Sequence, residues 1–543
     1  MKKVQLIFTG VLALFALCLP LQAEEHAASS AASAQVPLDN WLYQAVDRLS
    51  AVGCLQPGFA GLRPWTRREF ARILRNDSNV CPESVRSLLD KVREEFATEL
   101  AGEGTPRVTI DSIYVRGTHI AGQPLEDDFH FGRSIVNDFG RPAHEGVNAV
   151  AGFRASATAG PLGVSVRGEY QHAPSAAALP QTAVAEMSRI DSVPRTGPTL
   201  GRVNNFKLIE ATAAVALRSV QFSVGKQSLM WGPGRSGAML VGQNAEPLYM
   251  LRLSQTTPWR IPILSRVLGP ARWDAFMGKL SGHRNPRSPW IHGQKISFQP
   301  TENLELGFAR TVMFAGGDRP WASRFWRSFW SVGNHINTTP GGRFDIGDRR
   351  GGFDLKYRVP GLRNWLTIYN DAFTDDDPSP LSAPARSGMT HGLYLTRVPR
   401  VPKLDFRLEM AYTAALDTPP NGQFFYVNGA YREGYTNKGR LLGHWVGRQG
   451  RAYQGWLTYW LRGTSKVELS YRRLVVGRDY ITGGGRQQSL SVGTQLFSLQ
   501  NSLIAAVQVQ AEQWRYSVLA PTSRRNVSAS LGFEYRPRRC GSR

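Results

Sequence analysis

A β-hairpin is encoded in residues 151–171, which read AGFRASATAGPLGVSVRGEYQ. Small and apolar side chains occupy every second position from residue 151 to residue 159, and polar side chains such as Arg154 lie between them. Residues 160–163 then turn the chain, and the alternation resumes up to Tyr170. A period of two residues with a tight turn predicts two antiparallel strands, each with one apolar and one polar side.

The same pattern recurs along most of the chain after residue 106. Further alternating segments cover 209–224, 457–471 and 527–535. Their connections differ in length: the tight ones are 160–163, 218–219 and 463–465, and the long polar ones lie near 122–145, 172–203, 316–350 and 414–440. Short turns at one end and long loops at the other are typical of outer-membrane barrels. About 430 residues at roughly 24 per strand and connection predict a mainly β fold, a large antiparallel transmembrane β-barrel of about 18 strands.

A secreted β-sandwich is the alternative, because its strands also alternate. Two packed sheets, however, would bury Arg154, Arg167 and Glu169 less favourably than a water-filled barrel lumen. The mean hydropathy of −0.28 excludes a polytopic helical membrane protein, which needs repeated apolar runs of about 20 residues. We therefore expect a barrel.

The N-terminus has the features of a secretory signal peptide. Lys2 and Lys3 precede an apolar stretch at 4–19, and we expect cleavage after Ala23, which makes residues 1–23 the signal. Cys18 leaves a lipoprotein as the alternative. Export makes a nucleic-acid partner unexpected, although 65 Lys and Arg against 42 Asp and Glu give the chain a net charge of +23.

The sequence between the signal peptide and the barrel divides into two parts. Residues 24–36 are rich in Ala and Ser and predict a flexible lead-in, and residues 37–103 follow a helical period. Asp39 is predicted to cap the first helix, and Thr66 and Glu69 form a capping box before the second. The expected organisation is a periplasmic three-helix unit at 37–103, the outer-membrane barrel at 104–537 and a C-terminal tail at 538–543.

Two cysteines lie in the helical unit. Cys54 and Cys81 can pair in an oxidising periplasm, so we expect a possible disulfide there. No cysteine or histidine spacing in the chain resembles a zinc site. We expect no metal site and no cofactor.

Most of the excess positive charge lies in the barrel and is carried by arginine. A guanidinium group binds a carboxylate or phosphate with two parallel hydrogen bonds, which favours an acidic polysaccharide as partner. Two alternatives stay open: lumenal arginines pair with lumenal acids, or loop arginines contact lipopolysaccharide phosphates.

Aromatic residues alternate with arginines in one long connection and recur in a second one. Such an arrangement suits sugar rings, which stack on aromatic faces and hydrogen-bond to guanidinium groups; an interfacial aromatic belt is the alternative. The candidate polysaccharide-binding residues are Arg319, Trp321, Arg324, Trp326, Arg327, Trp330, Arg432 and Tyr435.

One segment is similar to a known protein family. Residues 225–234 read GKQSLMWGPG, and the stretches RPWTR at 63–67 and GDRRGGFDLKYR at 347–358 accompany it. Together they resemble the Wzi capsule-assembly family, most clearly at Trp231, Gly232, Pro233 and Gly234, to which we assign a structural role. The resemblance implies an outer-membrane barrel with a helical bundle that organises capsular polysaccharide at the cell surface in a lectin-like way.

We expect a binding protein and not an enzyme. The run 375–377 is acidic, but consecutive carboxylates on one loop do not give the spaced pair that glycoside hydrolysis needs. The chain has neither a Gly-x-Ser-x-Gly nor a His-Glu-x-x-His motif. An anion-selective porin for small solutes is the alternative function. The expected partners are capsular or other acidic polysaccharide, outer-membrane lipid and the barrel-assembly machinery, with the chain as a monomer.

Overall fold

The structure is a computed structural model that describes residues 32–537. Within this range it leaves out 57, 77–80, 103–105, 318, 320–346, 363, 376, 378, 462 and 499–501. The predicted signal peptide, most of the lead-in and the C-terminal tail lie outside the described residues.

Eighteen antiparallel strands form one closed sheet, which confirms the predicted barrel. The strands are β1 Arg107–Ala121, β2 Gly146–Ala159, β3 Leu162–Ala173, β4 Val203–Leu217, β5 Val220–Gln227, β6 Leu248–Gln255, β7 Ala271–Lys279, β8 Trp290–Thr301, β9 Leu304–Phe314, β10 Asp348–Arg358, β11 Leu366–Asp375, β12 Gly388–Leu395, β13 Leu404–Tyr412, β14 Gly450–Trp460, β15 Lys466–Val476, β16 Gly485–Ser498, β17 Leu503–Tyr516 and β18 Arg524–Tyr535. Each strand pairs with its neighbours in the chain, and β1 closes the barrel on β18, where Val115 lies opposite Phe533. Closure leaves no strand edge unpaired.

The alternation of side chains sets the two sides of the wall. Val115, Phe153 and Leu531 point outward and are exposed. Arg167 and Glu169 point into the lumen, where they are buried. The polar positions of the hairpin at 151–171 therefore face the lumen, as its sequence predicts.

Four helices precede the barrel in the described chain: α1 Trp41–Ala51, α2 Arg67–Arg75, α3 Glu83–Glu95 and the short α4 Ala97–Ala101. The capping box is confirmed, since the Thr66 side chain accepts from the Glu69 amide and Glu69 accepts from the Thr66 amide. The predicted cap of α1 is wrong: Asn40 accepts from the Leu42 amide. Asp39 instead pairs with Arg167 of the barrel wall at 2.7 Å, and this stronger partner draws its carboxylate away from the helix.

A disulfide joins Cys54, just after α1, to Cys81, just before α3. It closes a loop of the helical unit. Two more helices lie in connections between strands, α5 Gln181–Asp191 and α6 Ser265–Leu268. None of the helices in the described ranges has the length and hydropathy of a membrane-spanning segment.

The helical unit inserts into the barrel at the end where the connections are short. Arg48 on α1 lies 2.7 Å from Asp405 on β13. Glu305 on β9 accepts hydrogen bonds from the backbone amides of Ala60 and Gly61, both at 2.9 Å. These contacts hold the turn between α1 and α2 against the inner face of the wall.

Candidate functional site

The segment with the Trp-Gly-Pro-Gly sequence folds back into the lumen. It belongs to the connection 228–247 between β5 and β6. Met230 pairs with Arg63 of the helical unit through two backbone hydrogen bonds of 3.0 Å. Trp231 is fully buried and packs its ring edge-on against Phe276 of β7. The segment from the outer end and the unit from the inner end therefore meet inside the barrel.

Two carboxylates of the barrel wall hold this segment by its backbone. Asp371 on β11 accepts from the Met239 amide at 2.7 Å. Glu409 on β13 accepts from the amides of Arg235 at 2.7 Å and Ser236 at 2.8 Å. The close approach explains one glycine, because a Cβ on Gly232 would lie 2.5 Å from Asp371 Oδ2. These carboxylates act as acceptors for buried amides that would otherwise lack partners.

At the outer end, the long connections are joined by a buried ionic network. The His130 ring lies between Asp127, at 2.7 Å, and Asp191 at the end of α5, at 2.8 Å. Asp191 also pairs with Arg448 at 2.5 Å, which brings in the connection 413–449. Burial alone would lower the pKa of His130, but the two carboxylates outweigh it and raise the pKa to about 8.

A second ionic group fixes the first long connection to the wall. Asp138 lies 2.6 Å from Arg116 on β1 and 2.6 Å from Arg141. Burial opposes the charged form of Asp138, yet these two guanidinium groups hold its pKa well below the usual range. The connection 122–145 is therefore anchored inside the lumen and does not project freely from it.

Of the eight residues proposed from the sequence, three are described and five are not. Trp321, Arg324, Trp326, Arg327 and Trp330 lie outside the described residues. The three others do not form one surface. Tyr435 is fully buried, with its hydroxyl 3.1 Å from Thr311 and the Arg350 guanidinium 4.3 Å from its ring centre.

Arg319 and Arg432 do lie together at the outer end. Arg319 is half-buried, with its guanidinium 5.3 Å from the ring centre of Tyr431. Arg432 is exposed, and its amide donates to the carbonyl of Asn285 at 3.0 Å. The connection 428–438 thus holds both arginines against the neighbouring connection 280–289.

Two further arginines complete this surface, which we call the basic rim: Arg284, Arg287, Arg319 and Arg432. Both Arg284 and Arg287 are exposed. The Gly317 amide donates to the Arg287 carbonyl at 2.8 Å, and this hydrogen bond places Arg319 next to the connection 280–289. None of the four forms an ion pair with a carboxylate among the described residues. Sequence reasoning missed the additional pair, although the stretch Gly-His-Arg-Asn-Pro-Arg at 282–287 has the Gly and Pro of a loop and was a usable signal.

The family model of the capsule assembly protein Wzi matches residues 116–529, which is most of the chain. The chain belongs to the Wzi capsule assembly family. The match includes the lumenal Trp-Gly-Pro-Gly segment and all four residues of the basic rim.

Known proteins resemble this chain to different extents. The structure of Wzi from Escherichia coli, an outer membrane protein involved in group 1 capsule assembly and a carbohydrate-binding β-barrel, has a TM-score of 0.67 at 17% identity, covering 93% of this chain and 100% of that one. An uncharacterized 55.8 kDa protein in the cps region of Klebsiella pneumoniae is 26% identical over 189 residues, 34% of this chain and 36% of that protein. The chain thus spans about a third of the length of that curated relative. OprD from Pseudomonas aeruginosa has a TM-score of only 0.41 at 7% identity, covering 79% of this chain and 94% of that one.

The outer face of this Wzi-family barrel suits a lipid environment. Val108, Val147, Phe206 and Leu217 are each more than half exposed, and they share the outward side of their strands with many other aliphatic and aromatic residues. An exposed apolar band around a closed barrel is stable only in a bilayer. The protein is an outer-membrane β-barrel.

Proposed function

We propose that this protein binds acidic polysaccharide at the cell surface through the basic rim and does so without catalysis. The proposal rests on the basic rim. Its residues Arg284, Arg287, Arg319 and Arg432 have no carboxylate partners in the described chain. Long loops of outer-membrane barrels face the outside of the cell, so the rim faces surface glycans. Uronate carboxylates and phosphates suit the two parallel donors of a guanidinium group.

Several arginines inside the barrel have carboxylate partners, unlike the four of the basic rim. Arg252 pairs with Asp274 and Arg167 with Asp39, both at 2.7 Å, inside the lumen or against the helical unit. These pairs agree with the alternative that arginines in the lumen neutralise acidic groups in the lumen. The unpaired guanidinium groups of the rim are left to meet an anionic partner from outside.

Two features support binding over turnover. The wall carboxylates Asp371 and Glu409 are engaged in holding backbone amides of the lumenal segment, which leaves them poorly placed to exchange protons with a substrate. Capsule assembly is the role in the family's name, and the E. coli Wzi is described as carbohydrate-binding. We assign no reaction to this chain.

Segments of the chain inside the lumen argue against the alternative function, an anion-selective porin for small solutes. The helical unit and the connection 228–247 meet inside the lumen through the pairing of Arg63 with Met230. We therefore expect planar-bilayer recordings to show no steady large conductance. A persistent open-pore current from the purified full chain would favour the porin instead.

We also propose that the chain acts as a monomer in outer-membrane lipid after insertion by the barrel-assembly machinery. The pairing of β1 with β18 supports this, because the closed sheet needs no partner to cover an edge.

The decisive experiment measures binding of the full chain in detergent to the acidic polysaccharide of the cells that carry it, by surface plasmon resonance. A variant with all four rim arginines changed to Gln should bind about tenfold more weakly at low ionic strength, and the difference should shrink in high salt. The matched control changes four exposed arginines elsewhere to Gln: Arg86, Arg260, Arg266 and Arg400. Equal losses in both variants would show that only net charge matters and would refute the rim as the site.

A further inference from the structure

One connection at the inner end of the barrel is much longer than its neighbours. The connection 256–270 links β6 to β7 and contains α6, whereas the inner turns 218–219 and 302–303 have only two residues each. Its backbone is folded by internal hydrogen bonds, among them one from the Ser265 amide to the Ile261 carbonyl at 2.9 Å. Two residues are enough to join adjacent strands, so the additional length of this connection needs another explanation.

Two aliphatic side chains of this connection are largely exposed. Ile263, just before α6, is 79% exposed, and Val267 within α6 is 74% exposed. The Arg266 amide donates to the Ile263 carbonyl at 3.1 Å, and this turn keeps the two side chains in one short segment. Aliphatic groups of this size are unfavourable in water, and a cluster of them at a surface indicates contact with an apolar partner.

The connection leaves the wall where the lipid-facing apolar band ends. The Thr256 amide donates to the Ser219 carbonyl at 2.8 Å, and the indole nitrogen of Trp259 donates to the Ser219 hydroxyl at 3.0 Å. Ser219 follows two residues after Leu217, the last residue of β4, whose outward side chain is 66% exposed. An indole at this level is typical of the aromatic belt at a membrane interface. The connection is therefore continuous with the surface that faces lipid.

The charged side chains of this connection and of the turn 218–219 are all basic. Arg260 and Arg266 are exposed on the connection, and Arg218 is exposed on the turn. None of the three forms an ion pair with a carboxylate within the part of the chain that the structure describes. The sequence itself has no Asp or Glu at 256–273. Arginines beside exposed aliphatic residues are typical of segments that lie in the interface of an anionic membrane.

These residues form a surface that we call the inner anchor: Arg218, Arg260, Ile263, Arg266 and Val267. We propose that the inner anchor inserts into the periplasmic leaflet of the outer membrane and binds anionic phospholipid such as phosphatidylglycerol. The aliphatic pair reaches the boundary between headgroups and acyl chains, and the guanidinium groups bind the lipid phosphates through paired hydrogen bonds. The long loops project from the opposite end, so the inner anchor faces phospholipid and not lipopolysaccharide. The inference goes beyond the proposed function, because the basic rim takes its acidic ligand outside the cell.

The test is native mass spectrometry of the full chain, released from detergent micelles that are titrated with dioleoylphosphatidylglycerol or dioleoylphosphatidylcholine. The arginine variant combines Arg260→Gln with Arg266→Gln, and the aliphatic variant combines Ile263→Ser with Val267→Ser. The matched control combines Arg86→Gln on α3 with Arg524→Gln at the outer end of β18, and both of these arginines are exposed. Heat-modified gel mobility shows that each variant folds. All six substitutions are on exposed side chains, so we expect the barrel to form in every variant.

We expect the wild type and the control to bind phosphatidylglycerol about fivefold or more tightly than phosphatidylcholine, the factor that one arginine contributes near an anionic lipid surface. The arginine variant should lose this preference. The aliphatic variant should bind both lipids about threefold or more weakly, because it buries less apolar surface.

Four results would overturn the inference: no preference in the wild type, a preference that persists in the arginine variant, wild-type affinity in the aliphatic variant, or an equal loss in the control. A wild-type dimer that the aliphatic variant lacks would overturn it as well, because a second copy would then cover the surface. The variant with all four rim arginines changed to Gln should keep the lipid preference. Loss of acidic-polysaccharide binding in that variant concerns the proposed function alone.

Discussion

The Arg48 guanidinium of the first helix lies 2.7 Å from the Asp405 carboxylate of the barrel wall, and both side chains are almost completely buried. The ion pair joins two parts of the chain that are 357 residues apart. Arg48 also lies 4.9 Å from the ring centre of Trp460, whose indole nitrogen donates to Asp405 at 2.6 Å. This group locks the helical unit into the inner end of the barrel.

Replacing Arg48 with Leu should release the unit from the wall. The change leaves the Asp405 charge buried without its cation, which we expect to cost about 3–5 kcal/mol. Limited proteolysis between the unit and β1 should therefore become much faster, while the barrel itself keeps its heat-modified gel mobility. Arg86→Leu, on the exposed side of α3, is the control and should cleave like the wild type. Unchanged cleavage in Arg48→Leu would show that other contacts hold the unit.

Gly232→Ala should disturb the lumenal segment. The new Cβ would lie 2.5 Å from Asp371 Oδ2 and 3.1 Å from the Cβ of Ala238, so the carboxylate must move away from the Met239 amide. Overpacking of this kind costs about 1–3 kcal/mol, and we expect a matching fall in the unfolding midpoint in urea. Gly429→Ala meets nothing within 4 Å and should have a small effect. Equal midpoints for the two variants would contradict a tight fit at Gly232.

The period of two residues and the capping box were readable in the sequence because both are local. The Thr66 and Glu69 contact spans three residues, and the second strand of the hairpin at 151–171 follows after a short turn. The fate of Asp39 was not readable in the same way, since its partner Arg167 lies 128 residues away. Helix capping and ion pairing compete for one carboxylate, and only the folded barrel decides between them.

The residues of the candidate site also depend on contacts between distant parts of the sequence. The composition of the segment around Tyr435 suggested an exposed aromatic, but the fold places that ring under Arg350 of β10. Conversely, Arg284 and Arg287 are ordinary loop arginines in the sequence. They become part of the basic rim because backbone hydrogen bonds bring the connections 280–289 and 428–438 together. Surface sites made from several loops cannot be assembled from local patterns.

The buried ionic network around His130 at the outer end should become less stable as the pH rises through about 8. Since Asp127 and Asp191 raise the pKa of His130 above its unfolded value, its contribution of about 2 kcal/mol is fully present below pH 6.5 and is lost above the folded pKa. Trypsin should therefore cut the connections 122–145 and 174–202 faster at pH 9 than at pH 6, after correction for the enzyme's own pH profile. His130→Gln should lose this difference, and His119→Gln, exposed on β1, should keep it. A pH dependence that persists in His130→Gln would assign it to other groups.

Arg319→Lys separates the shape of the rim from its charge. Lysine keeps the positive charge but loses both the planar fork and the stacking of the guanidinium group on Tyr431, which lies 5.3 Å away. If the rim binds carboxylates through paired hydrogen bonds, the affinity for the acidic polysaccharide should fall about three- to tenfold in surface plasmon resonance at constant ionic strength. Arg266→Lys, on α6 at the inner end, is the control and should bind like the wild type. Full affinity in Arg319→Lys would mean that the rim attracts the polymer by charge alone, in which case the salt dependence and not the geometry carries the recognition.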